Sequence, residues 1–279
     1  MHKIIKKAIA KINLGLLITE KRPDGFHNLE TIFYPLHDIF DTLTFEKADD
    51  YKYTSNCNLK FDETNLIYSA VKALEEYTGK SLPVSISLDK QLPMGGGLGG
   101  GSSDAATTLT AINKLFNLDL STDILLKIAL ELGSDVPFFL FSKPALAKGR
   151  GEIIMPLDFK IKGVILIINP NIHISTKNAF DNIIPEKRSI NLSEITDDNL
   201  LNCEKASKTL VNDFEDYIFS IHPEIGEIKE SMLKKGAKLS FMSGTGSTVF
   251  GVFSSLHDAM ECSADFDYDF IKLTSYDHG

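Results

Sequence analysis

Residues 93–104 read Pro93-Met94-Gly95-Gly96-Gly97-Leu98-Gly99-Gly100-Gly101-Ser102-Ser103-Asp104. Six glycines in seven positions carry a large entropic cost, because a glycine loses more backbone freedom on folding than any other residue. Ala105, Leu109, Ile112 and Phe116 follow at helical spacing, so the loop runs directly into a predicted helix. A glycine loop at a helix N-terminus presents N–H groups and positive potential to an anion. The stretch predicts a phosphate-binding loop; the alternative is a flexible loop before a capped helix.

The loop differs from two common phosphate-binding motifs. The G-x-x-x-x-G-K-[ST] motif needs a lysine after the glycines, and none follows here. Gly79-Lys80-Ser81 has the lysine, but Leu74 stands where that motif requires its first glycine. A dinucleotide fold places the glycines directly after a strand, whereas residues 89–94 separate them from the alternating Val84, Ile86 and Leu88. Neither motif applies.

Composition restricts the class of protein. The 279 residues are 43% hydrophobic and 24% charged, which is typical of a globular chain with one large or two ordinary domains. Its longest apolar run, residues 164–168, is too short to span a bilayer, and residues 1–12 do not resemble a signal peptide. Three widely separated cysteines form no disulfide or zinc pattern, which favours a reducing cytoplasm. A net charge of -9 argues against nucleic-acid partners, so we expect neither nucleic acid nor membrane as a partner.

Apolar periodicity predicts the main elements. Residues 8–18 alternate as a strand with Lys11 and Asn13 on the opposite face. Helices are predicted over residues 66–77, capped by Asp62 or Thr64, and over 121–132 and 224–235. Strands are predicted over residues 84–88, 164–168, 238–242 and 249–253. The pattern loosens at residues 156–163, which predicts an N-terminal domain over 1–158 and a C-terminal domain over 159–279.

Two charged residues fit the chemistry of a kinase. A kinase needs a base for the acceptor hydroxyl, a cation for the developing charge and a cradle for the donor phosphates. Asp135 can supply the base and Lys11 the cation. Each also has a purely structural interpretation: Asp135 precedes Pro137 and can cap a helix, and Lys11 can be an exposed strand lysine.

The order of three segments resembles the kinase superfamily named for galactose, homoserine, mevalonate and phosphomevalonate, the GHMP kinases. The segments are Lys11 with Asn13, the loop Pro93–Ser103, and Ser243-Gly244-Thr245-Gly246, and the resemblance runs from Lys7 to Leu273. It implies an α+β two-domain fold. The N-terminal domain is expected to be like domain 2 of ribosomal protein S5 and the C-terminal domain ferredoxin-like, with the active site in the cleft between them.

Two further segments are similar to one branch of that superfamily. They are residues 22–31, which begin Arg22-Pro23-Asp24-Gly25-Phe26-His27, and residues 133–137. This branch transfers the ATP γ-phosphate to the C2 hydroxyl of a methylerythritol carrying a cytidine diphosphate, in the non-mevalonate pathway of isoprenoid biosynthesis. The resemblance therefore implies ATP and Mg²⁺ as cofactors and a small-molecule substrate with a cytidine diphosphate group. It does not determine whether the protein is a monomer or a homodimer.

The resemblance also implies roles for individual residues. Asp135 is expected to be the base on the C2 hydroxyl, with Lys11 holding it ionised and stabilising the transferred phosphoryl group. Residues 93–103 are expected to wrap the ATP phosphates, with Ser103 close to Mg²⁺ and Asn65 near adenine. The residues expected on the substrate side are Asn13, Phe26, His27, Thr176, Phe180, Gly244, Thr245 and Gly246.

Several of these assignments leave alternatives open. Phe26 and Phe180 are expected to sandwich the cytosine ring, although the family usually has tyrosine at position 26 and Phe180 fits a plain core position. Gly244-Thr245-Gly246 also fits an ordinary hairpin turn. Competing functions are another GHMP-type kinase of the homoserine or mevalonate class, a non-catalytic ligand-binding member of the fold, and an RNA-associated protein with the S5-like topology. The acidic balance disfavours the last.

Overall fold

Contacts within the chain define two units. The structure, a computed structural model, describes residues 3–186, 192–196 and 210–275. The first unit comprises Met1–Ala10, Ile39–Met94 and Gly99–Ser142, and the second comprises Lys11–Asp38, Gly95–Leu98 and Lys143–Gly279. The two units interleave along the sequence, so they define no single boundary in it. The domain boundary between residues 158 and 159 stays a prediction.

Runs of strands and runs of helices follow one another along the chain, as is typical of an α+β protein. The strands are β1 (Lys3–Lys21), β2 (His27–Lys47), β3 (Lys52–Ser55), β4 (Val84–Asp89), β5 (Ala145–Lys148), β6 (Ile153–Pro156), β7 (Val164–Asn169), β8 (Leu239–Met242), β9 (Val249–Phe253) and β10 (Phe270–Ser275). The helices are α1 (Leu66–Thr78), α2 (Gly100–Leu115), α3 (Thr122–Leu132), α4 (Val136–Phe141), α5 (Thr176–Asp181), α6 (Glu215–Ile221), α7 (Pro223–Lys234) and α8 (Leu256–Ser263). No helix in the described part of the chain combines the length and apolar character that crossing a membrane needs.

The first unit joins a small set of strands to four helices. The end of β2 pairs antiparallel with β4, with Thr42 opposite Asp89, and β3 pairs parallel with β4. Helix α1 packs against α2 and α3, and α4 packs against the same two helices. The apolar faces of α1 and α2 bury Leu74 and Leu109 completely.

Side chains at the helix ends explain where the helices of this unit begin. Asn65 caps α1, because its Oδ1 accepts from the N–H of Ile67 at 2.9 Å. The expected caps were wrong: Asp62 instead accepts from the N–H of Thr64. Ser121 caps α3 as predicted. Helix α2 begins earlier than its apolar stripe indicates, at Gly100, so the last glycines and both serines of the loop lie in its first turn.

The second unit is built on a four-stranded antiparallel sheet in the order β10-β7-β9-β8. Helix α7 packs on β8 and β9, and α8 packs on β7, β9 and β10. Leu166, Phe253 and Met232 are among the fully buried residues of its core. The beginning of β2 pairs with β5, and β5 pairs with β6. Both faces of β1 are buried over residues 10–17, so Lys11 and Asn13 lie inside the protein.

A buried charged network fixes the start of α2 in the first unit. Lys90 Nζ lies 2.6 Å from Asp41 Oδ2 on β2 and 2.7 Å from Asp104 Oδ2, one turn into α2. Asp41 Oδ1 also accepts from the N–H groups of Gln91 and Leu92. A Cβ placed on Gly100 would lie 3.1 Å from Lys90 Nζ, so the network touches the helix at its first residue.

One ammonium between two carboxylates leaves excess negative charge in this network. Burial raises the pKa of Asp104 to about 7, and the charge of Asp41 adds to the effect. Burial alone would lower the pKa of Lys90, but Asp104 and Asp41 outweigh it and hold that pKa above its usual range. Lys90 therefore stays charged, and its charge is used inside the fold.

We predict that Lys90→Met destabilises the protein by roughly 3–5 kcal/mol, because two buried carboxylates lose their only ammonium neighbour within this network. The free energy of unfolding is measured by urea titration. Lys234→Met is the matched control, since Lys234 is exposed and pairs with Glu230 one turn earlier in α7; its loss should stay below about 0.5 kcal/mol. Equal losses in the two variants would contradict the structural role of Lys90.

Candidate active site

Strand β1 and the glycine loop meet at Lys11 in the second unit. The side chain of Lys11 is 3% exposed. Its Nζ donates to Asn13 Oδ1 at 2.6 Å and to the backbone carbonyl of Gly97 at 3.2 Å. The N–H of Lys11 donates to the carbonyl of Leu98 at 3.0 Å. The interpretation of Lys11 as an exposed strand lysine is wrong, and its ammonium is directed at the glycine loop.

The loop over residues 243–246 closes on the same carbonyl. Ser243 Oγ donates to the carbonyl of Gly97 at 2.9 Å and accepts from the N–H of Asn13 at 3.2 Å. Asn212 Nδ2 holds this loop by donating to the carbonyls of Met242 and Gly244, each at 2.8 Å. Lys11, Asn13 and the residue 243–246 loop are therefore brought together around Gly97, as a shared site requires.

Asn13 is fixed by a chain of hydrogen bonds. Its Nδ2 donates to Thr31 Oγ1 at 2.9 Å, and Thr31 Oγ1 donates to the carbonyl of Gly15 at 2.5 Å. All three residues lie in the second unit, and Asn13 and Thr31 are buried. With its amide nitrogen used in this way, Asn13 keeps its oxygen turned toward Lys11. Asn13 thereby orients the ammonium.

Phe26 lies on a tight turn between β1 and β2. Its N–H donates to Asp24 Oδ1 at 3.1 Å, and its carbonyl accepts from the N–H of Arg22 at 2.8 Å. Arg22 pairs with both carboxylate oxygens of Asp24 and so lowers the pKa of that exposed group. Gly25 permits the turn with φ of +86°. The backbone is fixed while the ring of Phe26 is 52% exposed, as a stacking surface requires.

His27 and Phe180 form a stacked pair. Their ring centroids lie 5.2 Å apart at 30°, and Phe180 also meets Phe214 edge-on at 4.9 Å. His27 is buried, and its Nε2 has no hydrogen-bond partner among the described residues. Burial, together with the charge of Lys21, lowers the pKa of His27, so the ring is neutral at pH 7. A buried ring nitrogen without a partner is suited to a polar ligand edge.

The other residues expected on the substrate side lie at two loop ends of the second unit. Thr176 is exposed at the first residue of α5, and its Oγ1 lies 3.4 Å from Thr245 Oγ1. Gly244 and Gly246 are buried with φ of +60° and +94°. These positive φ values explain why the loop needs glycine at both positions.

Ser103 and Asn65, two of the residues expected to bind ATP, lie at helix ends in the first unit. The hydroxyl of Ser103 is buried in the first turn of α2, and its N–H donates to the carbonyl of Gly99 at 2.9 Å. Met94 is exposed. Asn65, expected near adenine, uses its side chain to cap α1 and to donate to the carbonyl of Lys60 at 2.8 Å. Its place beside adenine stays a prediction.

Asp135 stands immediately before α4 with Pro137 in the first turn of that helix. Its side chain is partly exposed and makes no capping hydrogen bond to α4. The interpretation of Asp135 as a side-chain cap is therefore not supported. Its backbone has helical φ and ψ of -85° and -16°, which places the carboxylate at the N-terminus of α4, where negative charge is stabilised.

In the described part of the chain no group of three or more His, Cys, Asp or Glu residues is arranged to hold a metal ion. Mg²⁺ typically keeps several waters and uses phosphate oxygens, with one or two protein oxygens. The buried hydroxyl of Ser103 beside the glycine loop fits one such oxygen.

Sequence reasoning missed Ser243, Thr31 and Asn212 as parts of the site. Ser243 begins the predicted Ser243–Gly246 motif, and its hydroxyl holds both Gly97 and Asn13. The signal for Asn212 was weak: it precedes Asp213 and Phe214, and its Oδ1 accepts from the N–H of Phe214 at 3.0 Å before α6. From its neighbours in the sequence, such an asparagine indicates only a local turn.

Comparison with known proteins identifies matching family models in both halves of the chain. Residues 65–143 match the N-terminal domain of GHMP kinases, and residues 193–268 match the C-terminal domain of GHMP kinases. The predicted two-domain α+β fold class is thereby confirmed.

Relatives match over nearly the whole chain. A protein of Chlorobium phaeobacteroides (strain BS1) named 4-diphosphocytidyl-2-C-methyl-D-erythritol kinase is 44% identical over 280 residues, covering 98% of both chains. A protein of the same name from Bacteroides thetaiotaomicron is 43% identical, covering 88% of this chain and 90% of its own.

Solved structures agree. A crystal structure of 4-(cytidine 5'-diphospho)-2C-methyl-D-erythritol kinase superposes with a TM-score of 0.79 at 30% identity, covering 94% of each chain. Homoserine kinase from Cytophaga hutchinsonii superposes with a TM-score of 0.67 at 20% identity, covering 95% of this chain and 92% of its own, and shows the fold alone.

We predict that Gly97→Ala destabilises the protein by more than about 2 kcal/mol. Gly97 has φ of +79°, where a Cβ is disfavoured, and that Cβ would lie 2.0 Å from the carbonyl oxygen of Ser243. Gly101→Ala is the matched control: its Cβ would meet only Leu66 at 3.7 Å, and alanine within a helix stabilises by about 0.4–1 kcal/mol. Urea midpoints of both variants test this. If the urea midpoints of both variants move in the same direction, the close approach of the Ser243 carbonyl to position 97 does not matter.

Proposed function

Because the chain belongs to the 4-diphosphocytidyl-2-C-methyl-D-erythritol kinases, a family of GHMP kinases, we propose that Lys11 and Asp135 carry out its phosphoryl transfer. The enzyme transfers the γ-phosphoryl group of ATP to the C2 hydroxyl of 4-(cytidine 5'-diphospho)-2-C-methyl-D-erythritol in isoprenoid biosynthesis. The alternatives of a homoserine or mevalonate kinase and of a non-catalytic member are not favoured.

The observation that carries the assignment is the buried ammonium at the glycine loop. Lys11 Nζ is held 3.2 Å from the Gly97 carbonyl by Asn13, whose own orientation is fixed by Thr31. A cation that is already oriented stabilises charge developing on a phosphoryl group without reorganisation during the reaction. The acidic chain has no general attraction for an anionic substrate. A positive charge fixed at this point supplies that attraction locally.

Asp135 is the proposed base. As the C2 hydroxyl oxygen forms its bond to the γ-phosphorus, Asp135 accepts the hydroxyl proton, and the bond from the γ-phosphorus to the bridging oxygen breaks to release ADP. Lys11 favours the ionised form of Asp135 and stabilises the developing charge.

Residues 93–103 are proposed to wrap the phosphates of ATP, with N–H groups of the loop glycines turned toward them and Asn65 near adenine. Positive φ at Gly95, Gly97 and Gly99 supports this, because it turns the backbone in a way that side chains would block. Mg²⁺, carried on the phosphates and held by the Ser103 hydroxyl, would neutralise phosphate charge. We place the reaction in the cytoplasm, since the three cysteines form no pattern expected of an oxidising compartment.

The substrate base is proposed to stack on Phe26 and Phe180 and to meet His27, with Asn13, Thr176 and the loop Gly244–Gly246 on the remainder of the substrate. The unpartnered Nε2 of the neutral His27 supports this, because that nitrogen can form one hydrogen bond to the edge of cytosine, as donor or acceptor according to the tautomer. Stacking alone would accept any pyrimidine. Discrimination against uracil therefore falls partly to His27.

We predict that Asp135→Asn and Lys11→Ala each lower kcat by about 10²-fold or more, because base and cation act in the same transition state. The double variant should be little worse than the worse single variant, because neither group is effective without the other. Steady-state kinetics at saturating ATP provide the measurement. Losses that multiply in the double variant would mean that the two residues act independently, and near-normal turnover of Asp135→Asn would remove the base assignment.

We predict that the wild-type enzyme phosphorylates free methylerythritol far less efficiently than the cytidine diphosphate form, since the free alcohol has no base to stack. Product formation followed by phosphorus NMR checks this. His27→Ala should narrow the kcat/KM ratio between the cytidine and uridine forms of the substrate. Equal efficiency on the free alcohol and the full substrate would overturn recognition of the base.

A further inference from the structure

A hairpin turn in the second unit lies against the turn that carries Phe26. The N–H of Leu29 donates to the carbonyl of Gly149 at 2.7 Å, and Lys148 Nζ pairs with Glu30 Oε1 at 3.0 Å. Strand pairing of β2 with β5 continues the contact, with Thr31 opposite Ala147. The turn between β5 and β6 therefore has a fixed position relative to the start of β2.

Arg150 is presented by that hairpin to the ring of Phe26. Its guanidinium carbon lies 4.7 Å from the ring centroid, within the range of a cation–π contact. The backbone N–H of Arg150 donates to a carboxylate oxygen of Glu152, and Gly149 adopts φ of +70°, so the turn holds a defined shape. A guanidinium is planar and weakly hydrated, and it stacks on aromatic faces better than an ammonium does.

Phe26 needs such support because nothing in its own turn fixes the ring. The hydrogen bonds of the turn, from Arg22, Asp24 and the N–H of Phe26, all act on the backbone or on the two charged side chains. The ring itself is 52% exposed. An exposed ring samples several rotamers, and each bound ligand must then restrict it.

We infer that Arg150 is a positioning residue for the substrate base: its guanidinium supports one face of Phe26 so that the ring is ready to stack on cytosine. The inference rests on the proposed function, since it assumes that Phe26 stacks on the base. A direct ion pair of Arg150 with the substrate diphosphate is the competing role. The carboxylate of Asp24 is close enough to Arg150 for its pKa to be lowered further by that charge, beyond the larger effect of Arg22, and it offsets part of the positive charge.

The test compares Arg150→Ala, Arg150→Lys and the charge control Lys234→Ala, an exposed helical lysine paired with Glu230. We expect Arg150→Ala to raise KM for the cytidine diphosphate substrate by about 3–10-fold, with kcat and KM for ATP changed less than about twofold, because only the stacking surface is disturbed. Arg150→Lys should reverse less than half of the rise in log KM seen in Arg150→Ala, since lysine keeps the charge but not the planar group. Lys234→Ala should behave as wild type.

Two further measurements separate support of the ring from recognition of phosphate. Competitive inhibition by cytidine, which has no phosphate, should weaken in Arg150→Ala by the same factor as substrate binding. In a Phe26→Ala background, Arg150→Ala should have almost no additional effect, because the supported ring is gone. An unchanged KM in Arg150→Ala would overturn the inference. So would undiminished cytidine inhibition, or a loss that persists undiminished without Phe26, since both indicate contact with the diphosphate.

Failure of this inference can be told from failure of the proposed function. If wild-type enzyme accepts free methylerythritol as well as the full substrate, base recognition itself is absent. If wild-type enzyme prefers the full substrate and Arg150→Ala matches Lys234→Ala, base recognition stands and only the role of Arg150 is lost.

Discussion

The backbone carbonyl of Gly97 is the contact on which the rest of the second unit's site depends. It accepts from Lys11 Nζ and from Ser243 Oγ, so one oxygen joins strand β1, the glycine loop and the loop over residues 243–246. Gly97 has no room for a Cβ because the carbonyl of Ser243 occupies that space. Position 97 therefore needs glycine because another loop of the same chain packs against it. The carbonyl of Gly97, held in this contact, also orients the ammonium of Lys11.

Two buried lysines illustrate how the acidic chain uses positive charge. Lys90 is surrounded by Asp41 and Asp104, and its charge fastens α2 to the end of β2 in the first unit. Asn13 and a backbone carbonyl orient Lys11 with neutral oxygens. The charge of Lys90 therefore serves the fold, whereas the charge of Lys11 is held at the glycine loop.

The sequence predicted the features that depend on local pattern. The start of α3 at Ser121 and the buried run over β7 follow from neighbouring residues alone. Features that depend on distant contacts were not predictable in this way. The burial of Lys11, the choice of Asn65 as a cap and the stacking of Arg150 on Phe26 each need a partner fixed by the fold. The residue roles rested on family resemblance, because spacing cannot distinguish a catalytic lysine from a structural one.

The interleaving of the two units has a consequence for the newly made chain. Residues 11–38 belong with residues 143–279, yet residues 39–142 leave the ribosome in between, which takes roughly 5–20 s at about 5–20 residues per second. Leu16 pairs through its backbone with Val211 and Asp213, which are made well after residues 39–142. The apolar part of β1 therefore leaves the ribosome long before these backbone partners exist, so its pairing with them completes late in synthesis.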